Sequence, residues 1–155
     1  MVDEGDKAPD FELESDEGGT IRLSDLQGSP VVVYFYPKDD TSGCTKEAIA
    51  FTELAPEFAK LGVRVIGVSP DTAKSHQKFK TKHNLNVELA ADTEKSAAQA
   101  YGVWVSKSMY GRQYMGVERS TFLVGKDGTL VKVWRKVKVP GHAEDVLQSV
   151  QSLNG

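Results

Sequence analysis

The sequence predicts an α/β protein in which a central mixed β-sheet is flanked by helices. Two short segments, 31–36 and 63–69, are almost continuously apolar and rich in β-branched residues, which is typical of strands buried on both faces of a sheet. Between them, residues 44–61 carry apolar side chains at mostly helical spacing. Strand, helix and strand in this order predict a right-handed βαβ unit with two parallel strands.

Similar patterns predict the remaining elements. They are a brief helical turn ending at Gly28, a helix at 72–83, a strand at 87–89, a helix ending at Tyr101, strands at 120–124 and 130–134, and a final helix at 142–153. Asp127-Gly128 between the last two strands is a strong hairpin signal. A parallel βαβ unit followed by an antiparallel hairpin and a closing helix predicts a thioredoxin-like fold, here with an N-terminal extension rich in turns.

Two segments are harder to interpret. Pro56 lies inside the first helix and predicts a kink or a break. Residues 103–118 are aromatic, basic and interrupted by glycine, which predicts a loop or an excursion at the sheet edge. Within that segment Met109, Tyr110, Tyr114 and Met115 could line a pocket for an organic ligand or pack the loop over the core, and both alternatives stay open.

Length and charge limit the function classes. The 155 residues predict one domain spanning 1–155, since two halves would be too small to hold good cores. With 19 Lys and Arg against 22 Asp and Glu, the net charge of −3 argues against a nucleic-acid-binding protein. The acidic N-terminus and the lack of a long apolar run predict neither a signal peptide nor a membrane span, so a cytoplasmic location is expected.

Cys44 is the one cysteine of the chain, and its position makes it a candidate nucleophile. It lies where a predicted core strand has ended and a predicted helix begins, at the edge of the sheet where α/β proteins form crevices. The unpaired N–H groups of a first helical turn favour a thiolate over a thiol. Thr41 offers a hydroxyl to the sulfur, and Pro37 can shield the sulfur from water. The alternative is a passive small side chain.

Two stretches of the chain carry longer motifs. Residues 37–47 are PKDDTSGCTKE, and residues 109–123 are MYGRQYMGVERSTFL. The first resembles the active-site signature of the peroxiredoxins, with a proline, a threonine and the peroxidatic cysteine in the spacing Pro-x-x-x-Thr-x-x-Cys. Both stretches resemble the peroxiredoxin Q branch, also called bacterioferritin comigratory proteins. The resemblance covers essentially the whole chain.

The resemblance implies a thiol peroxidase that needs no metal, flavin, haem or nicotinamide. The Cys44 thiolate would attack the O–O bond of hydrogen peroxide or an alkyl hydroperoxide and become a sulfenic acid while water or alcohol leaves. Thr41 would hydrogen-bond the peroxide and the sulfur, Arg119 would hold the thiolate and polarise the peroxide oxygens, and Pro37 would exclude solvent. Such donors suit a transition state in which negative charge spreads from sulfur onto two oxygens.

The chain departs from the branch at the second, resolving cysteine, which many members carry five residues after the first. Ile49 occupies that position, and residues 72–83, where other members place it, contain no cysteine. An intramolecular disulfide is therefore impossible, and the sequence predicts a 1-Cys enzyme whose sulfenic acid is reduced by an external thiol. Glutathione with glutaredoxin, thioredoxin, and another small thiol stay open as donors. A monomer is expected, with a dimer as the alternative.

A function from another class is a redox sensor or holdase of the same fold that uses Cys44 without peroxidase turnover. The motif residues Pro37, Thr41 and Arg119 favour the peroxidase. An ordinary disulfide oxidoreductase is excluded because the chain has no CxxC pair.

Other polar residues have simpler interpretations. His76, His83 and His142 lack a carboxylate cluster in the sequence, so surface histidines are expected rather than metal ligands. Glu47 in the first helical turn is expected to complement the helix dipole. The basic run 132–138 alternates with valines, which predicts an edge strand that discourages further pairing rather than a phosphate site.

Overall fold

The computed structural model of this protein describes residues 2–153. Seven strands form one mixed sheet in the order β2-β1-β5-β4-β3-β8-β9, and two more strands form a separate hairpin, β6-β7. The elements in chain order are β1 (Glu12–Ser15), β2 (Thr20–Arg22), a 3₁₀ turn (Leu23–Leu26), β3 (Val31–Phe35), α1 (Ser42–Lys60), β4 (Arg64–Ser69), α2 (Ala73–His83), β5 (Glu88–Ala91), α3 (Ser96–Ala100), β6 (Trp104–Met109), β7 (Arg112–Val117), β8 (Ser120–Val124), β9 (Leu130–Trp134) and α4 (His142–Leu153).

The centre of the sheet is the predicted βαβ unit. All five residues of β3 are buried, and β3 pairs in parallel with β4 through the crossover helix α1. The strand β8 pairs with the other side of β3 in antiparallel orientation, so that Phe35 at the end of β3 faces Ser120 at the start of β8. The mixed sheet flanked by helices is confirmed, and β9 lies at one edge as predicted.

Helices and loops cover the two faces of the sheet unequally. On one face α1, α2 and α4 bury apolar side chains such as Phe51, Phe79 and Val146 against Tyr34 and its neighbours. On the other face the N-terminal segment and α3 cover the sheet. Cys44 belongs to the core on the three-helix face. Within residues 2–153, no helix is long and apolar enough to cross a membrane.

The segment 103–118, predicted to be a loop or an edge excursion, is instead the antiparallel hairpin β6-β7. Its turn is Tyr110-Gly111, where both residues have positive φ, 52° and 78°. That combination is typical of a type I′ hairpin turn, but a tyrosine in a left-handed conformation gives little sequence signal for it. Met109, Tyr110, Tyr114 and Met115 are all exposed, so the alternative in which they pack the loop over the core is wrong.

Pro56 does not break the first helix, because α1 continues from Ser42 to Lys60 around it. A proline removes one backbone donor, and the buried side chains of Phe51 and Phe58 on either side hold the flanking turns against the sheet.

The strand β1 was not predicted from the sequence. Its burial alternates, with Leu13 inside, over only four residues, which is too short a run for a clear strand pattern.

We predict that Gly67→Ala destabilises the protein by about 1–3 kcal/mol, because a methyl group at this position overpacks the core. Gly67 pairs with Tyr34 across β4 and β3, and a Cβ there would lie 2.7 Å from Tyr34 Cζ. The ring cannot retreat, since it stacks on Phe51 with ring centroids 4.7 Å apart. Urea denaturation measures the loss. In a Tyr34→Leu background the cost should largely disappear, and an equal cost in both backgrounds would contradict this explanation.

Candidate active site

Cys44 is the third residue of α1, in the turn that follows the buried strand β3 and the loop 36–41. The first turn of a helix has N–H groups without partners inside the helix, and these favour an anion at this position. The Cys44 side chain is only 1% exposed. The sulfur is therefore close to helix dipoles and largely removed from water, which agrees with the expected location at the carboxyl end of a central strand.

Arg119 is the residue that reaches the sulfur. It immediately precedes β8, and the pairing of Ser120 with Phe35 brings it beside the end of β3 and the start of α1. Its Nη2 atom donates a hydrogen bond to Cys44 Sγ at 3.3 Å, across a separation of 75 residues. The structure thus brings together the two residues that the sequence motifs predicted as thiolate and cation.

Glu47 completes this group, and its role was missed in the sequence. Its Oε1 atom accepts a hydrogen bond from Arg119 Nη1 at 2.7 Å, and its side chain is 1% exposed. The expectation that Glu47 lies in the first helical turn and complements the helix dipole is wrong, because α1 begins at Ser42 and has no acidic residue in its first turn. Residues three apart share a helix face, so Glu47 follows Cys44 into the core. The three-residue spacing from Cys44, together with the motif residue Arg119, was the sequence signal that could have predicted a buried Glu47 beside the site.

The electrostatics of Glu47 reflect competition between burial and its partner. Burial raises the pKa of Glu47 to about 7, while the charge and the hydrogen bond of Arg119 act in the opposite direction. Its second oxygen, Oε2, is buried and has no hydrogen-bond partner among the described residues. For Arg119, burial alone would lower the pKa, but Glu47 and Cys44 outweigh it and raise the pKa. The guanidinium therefore stays charged between two acceptors.

Thr41 and Pro37 lie close to Cys44 in the chain but differ in their exposure. Thr41 occupies the N-cap position of α1 and is exposed, and its hydroxyl donates to the Lys38 carbonyl oxygen at 2.8 Å. The single hydroxyl proton is therefore not directed at the sulfur in this conformation. Pro37 is half-buried, directly after the buried Tyr36. The roles expected for Thr41 and Pro37 stay predictions.

The prediction of surface histidines is wrong for two of the three. His76 is 0% exposed and lies within hydrogen-bond distance of Asp39 and of the Ala90 carbonyl oxygen. His142 is also buried, with Nε2 2.8 Å from Thr121 Oγ1, and burial lowers its pKa to about 4. Partners from distant parts of the chain bind both nitrogens of His76 and Nε2 of His142, which the local sequence does not indicate.

Comparison with known proteins agrees with this geometry. Residues 4–133 match the AhpC/TSA family. The chain is 50% identical to peroxiredoxin Bcp of Bacillus subtilis over 153 residues, covering 99% of this chain and 98% of the relative. It is similar to the crystal structure of a Xylella fastidiosa PrxQ mutant, with a TM-score of 0.94, 36% identity and coverage of 100% and 99%. Xanthomonas campestris bacterioferritin comigratory protein, studied for alkyl peroxide reduction, superposes with a TM-score of 0.89, 41% identity and coverage of 94% and 92%.

A thioredoxin-like sheet that presents one cysteine at a helix start, beside an arginine that immediately precedes the neighbouring strand, defines a thiol-dependent peroxidase, and the matches extend over this whole fold. The chain belongs to the AhpC/TSA family, and within it to the peroxiredoxin Q/Bcp branch that the sequence motifs predicted.

We predict that Gly43→Ala slows oxidation of Cys44 by peroxide about threefold to tenfold, because a small misplacement of a catalytic group is costly. A Cβ at Gly43 would lie 3.2 Å from Arg119 Nη2, the atom that donates to the sulfur. Stability should stay unchanged or rise by up to about 1 kcal/mol, since alanine is the better helix former. Stopped-flow oxidation and chemical denaturation measure the two effects. Ser42→Ala in the same turn is the control, and an equal loss of rate there would argue against displacement of Arg119.

We predict that the free energy of unfolding falls between about pH 5 and pH 8 through Glu47. The carboxyl keeps its proton up to about pH 7 in the folded state but loses it near its ordinary value of 4.5 when unfolded. In that window the folded state binds more protons, so stability decreases as the pH rises, by about 3 kcal/mol at most.

Glu47→Gln removes this titration and keeps an acceptor for Arg119. Urea denaturation across this pH range should show a smaller fall for the variant than for the wild-type protein. Parallel curves would mean that Glu47 does not titrate in this window.

Proposed function

We propose that this protein reduces hydrogen peroxide and organic hydroperoxides at Cys44 by a 1-Cys cycle. The observation that carries this proposal is the hydrogen bond from Arg119 Nη2 to the sulfur at the start of α1. A thiolate there has the helix N–H groups on one side and a guanidinium on the other. Both are fixed before the peroxide arrives, which is the condition for electrostatic stabilisation of a transition state.

In the first half-reaction the thiolate attacks one peroxide oxygen. An S–O bond forms, the O–O bond breaks, and the leaving oxygen departs as water or alcohol after taking a proton. Arg119 offsets the negative charge that moves from sulfur to oxygen. Thr41 contributes after rotation of its hydroxyl away from the Lys38 carbonyl oxygen toward the bound peroxide, while Pro37 limits the access of water.

In the second half-reaction an external thiol reduces the sulfenic acid, because the chain contains no second cysteine. A dithiol protein of the thioredoxin type, glutaredoxin with glutathione, and a small thiol all have the required chemistry. Cys44, Glu47 and Arg119 come from one chain, so a monomer holds the complete proposed site.

We predict that Cys44→Ser abolishes thiol-dependent peroxide reduction and leaves the fold intact, since serine cannot form a sulfenic acid. Peroxide consumption with dithiothreitol, thioredoxin or glutathione with glutaredoxin as donor measures activity, and circular dichroism checks the fold. Activity beyond a trace in the serine variant would rule out Cys44. Oxidation of the wild-type protein without multiple turnover with any donor would favour the redox sensor instead.

We predict that peroxide without thiol leaves Cys44 as a sulfenic acid that dimedone traps, and that excess peroxide drives it to sulfinic and sulfonic acid. Ile49→Cys tests the 1-Cys assignment. Five residues along an α-helix separate Cα atoms by about 8.6 Å, too far for a disulfide unless the first turn unwinds. We expect unwinding, a loss of two hydrogens in the mass spectrum and resistance to overoxidation. Stepwise oxygen addition alone would show that this turn stays wound.

A further inference from the structure

A buried polar cluster lies beside the loop that leads to Cys44 and takes no part in the chemistry above. Its centre is the Asp39 carboxylate. Oδ1 accepts a hydrogen bond from the Tyr36 hydroxyl at 2.6 Å, and Oδ2 accepts one from Ser75 Oγ at 2.8 Å. Oδ2 also lies 2.7 Å from Nδ1 of His76. Tyr36 directly follows β3, whereas Ser75 and His76 belong to α2, so Asp39 links the end of the sheet strand to a helix.

The pair formed by Asp39 and His76 must share a proton. His76 Nε2 lies 3.0 Å from the Ala90 carbonyl oxygen, which can only accept, so that nitrogen carries a hydrogen. The short contact between Nδ1 and Oδ2 needs a second hydrogen, located on one atom or the other. The pair is thus an imidazolium with a carboxylate, or a neutral ring with a carboxylic acid. Both side chains are buried, and each would be left without its partner if the other were removed.

The backbone of the loop 36–41 is also held by a hydrogen bond at Asp39. The Asp39 N–H donates to Asp71 Oδ2 at 2.8 Å, and that oxygen also accepts from Ser69 Oγ at 2.6 Å. Asp39, Asp71 and His76 lie close enough together to suggest a metal site. Hydrogen bonds already account for the Asp39 and Asp71 oxygens that face the cluster and for both ring nitrogens, so the cluster is explained without an ion.

Asp39 lies between the two loop residues expected to act in the site, Pro37 and Thr41. The start of α1 has no side-chain cap of its own, because the Thr41 hydroxyl bonds Lys38 rather than a helix N–H. The contacts that Asp39 makes with α2 and with Asp71, just after β4, therefore help to hold this loop in position.

Access to the sulfur differs between the two half-reactions. A peroxide is small, but a reducing thiol must place its own sulfur at bonding distance, about 2.05 Å, from Cys44, whose side chain is 1% exposed. In that step the thiol R–SH and Cys44–SOH form a mixed disulfide and water, and a second thiol then releases the Cys44 thiol and a disulfide. The competing step, Cys44–SOH with a second hydrogen peroxide, gives the sulfinic acid and water.

We propose that Asp39 and His76 are a positioning pair that holds the loop 37–41 and the first turn of α1 closed around Cys44. This closed state favours the reaction with peroxide and opposes the reaction with a thiol. The pair thereby sets how the sulfenic acid divides between reduction and overoxidation. The inference rests on the proposed function. It adds a pair of residues that determines whether the sulfenic acid is next reduced by a thiol or overoxidised by peroxide.

Asp39→Ala tests the pair, and Asp39→Asn is the conservative rescue, because an asparagine can accept from Tyr36 and donate to Nδ1 of a neutral His76. The matched control is Asp40→Asn. Asp40 is exposed on the same loop and bonds Lys82 and His83 of the same helix, each at 2.7 Å. Its φ is 60°, a conformation that asparagine tolerates.

Three measurements use the full chain: the rate of dimedone-trappable oxidation by hydrogen peroxide, the rate at which dithiothreitol consumes the sulfenic acid, and the sulfinic fraction by mass spectrometry. For Asp39→Ala, which removes the contacts with Tyr36, Ser75 and His76, we expect oxidation slower and reduction faster by about tenfold or more. The sulfinic fraction should fall. Asp39→Asn should keep the oxidation and reduction rates close to those of the wild-type protein, and Asp40→Asn should behave as the wild-type protein.

Opposite changes in the two half-reactions separate positioning from general damage, which would slow both. Equal slowing of both, or no change in the division between reduction and overoxidation, would overturn the proposal. Amide hydrogen exchange of residues 42–48 tests the closed state without using activity, and we expect faster exchange in Asp39→Ala only. If the wild-type protein shows no thiol-dependent turnover, the proposed function fails, while unchanged exchange in Asp39→Ala would reject the positioning pair alone.

Discussion

The site depends on the antiparallel pairing of β8 with β3. This pairing places Ser120 opposite Phe35. Arg119, the residue before β8, therefore lies beside the end of β3, where the loop that leads to α1 begins. Arg119 meets Cys44 for that reason, although neither belongs to the strands themselves. The chemistry of the site therefore depends on the register between β8 and β3. A shift of one residue would move the guanidinium by about 3.4 Å and turn it to the other face of the sheet. The buried side chains of both strands hold the register in place.

The guanidinium of Arg119 donates to two acceptors, the sulfur of Cys44 that reacts and the carboxylate of Glu47 that orients it. Nη2 faces the sulfur and Nη1 faces Glu47, which is fixed one helical turn further along α1. Glu47 holds the planar fork in one orientation, which a lone thiolate could not do with a single contact. Its burial limits how much negative charge it carries near neutral pH, so that it orients the arginine without fully neutralising it. One helix thus supplies both the nucleophile and the support for its cation.

The sequence predicted the fold class, the βαβ unit and the terminal helix, because each rests on a local pattern. The partnership of Cys44 with Arg119 was implied by the resemblance of two separate stretches to the peroxiredoxin Q branch. The sequence did not predict the burial of Glu47 or His76. The helix was expected to begin at Cys44, which would place Glu47 in a first turn where acidic residues are favoured, whereas α1 begins two residues earlier, at Ser42. His76 is buried only because Asp39, 37 residues earlier, and Ala90, 14 residues later, satisfy its ring. The hairpin β6-β7 was missed because its turn uses a tyrosine in a left-handed conformation.

The separation of 75 residues between Cys44 and Arg119 has a consequence for biosynthesis. Cys44 leaves the ribosome well before its cation is synthesised, and α1 can form while β8 is still inside the translation machinery. The nascent chain therefore carries the thiol without the guanidinium and without the neighbouring strand that aligns it. The hydrogen bond from Arg119 to the sulfur can form only when the last quarter of the chain, from Arg119 onward, joins the sheet. A chain that ends before Arg119 would keep Cys44 in the first turn of α1 but would lack the guanidinium beside its sulfur.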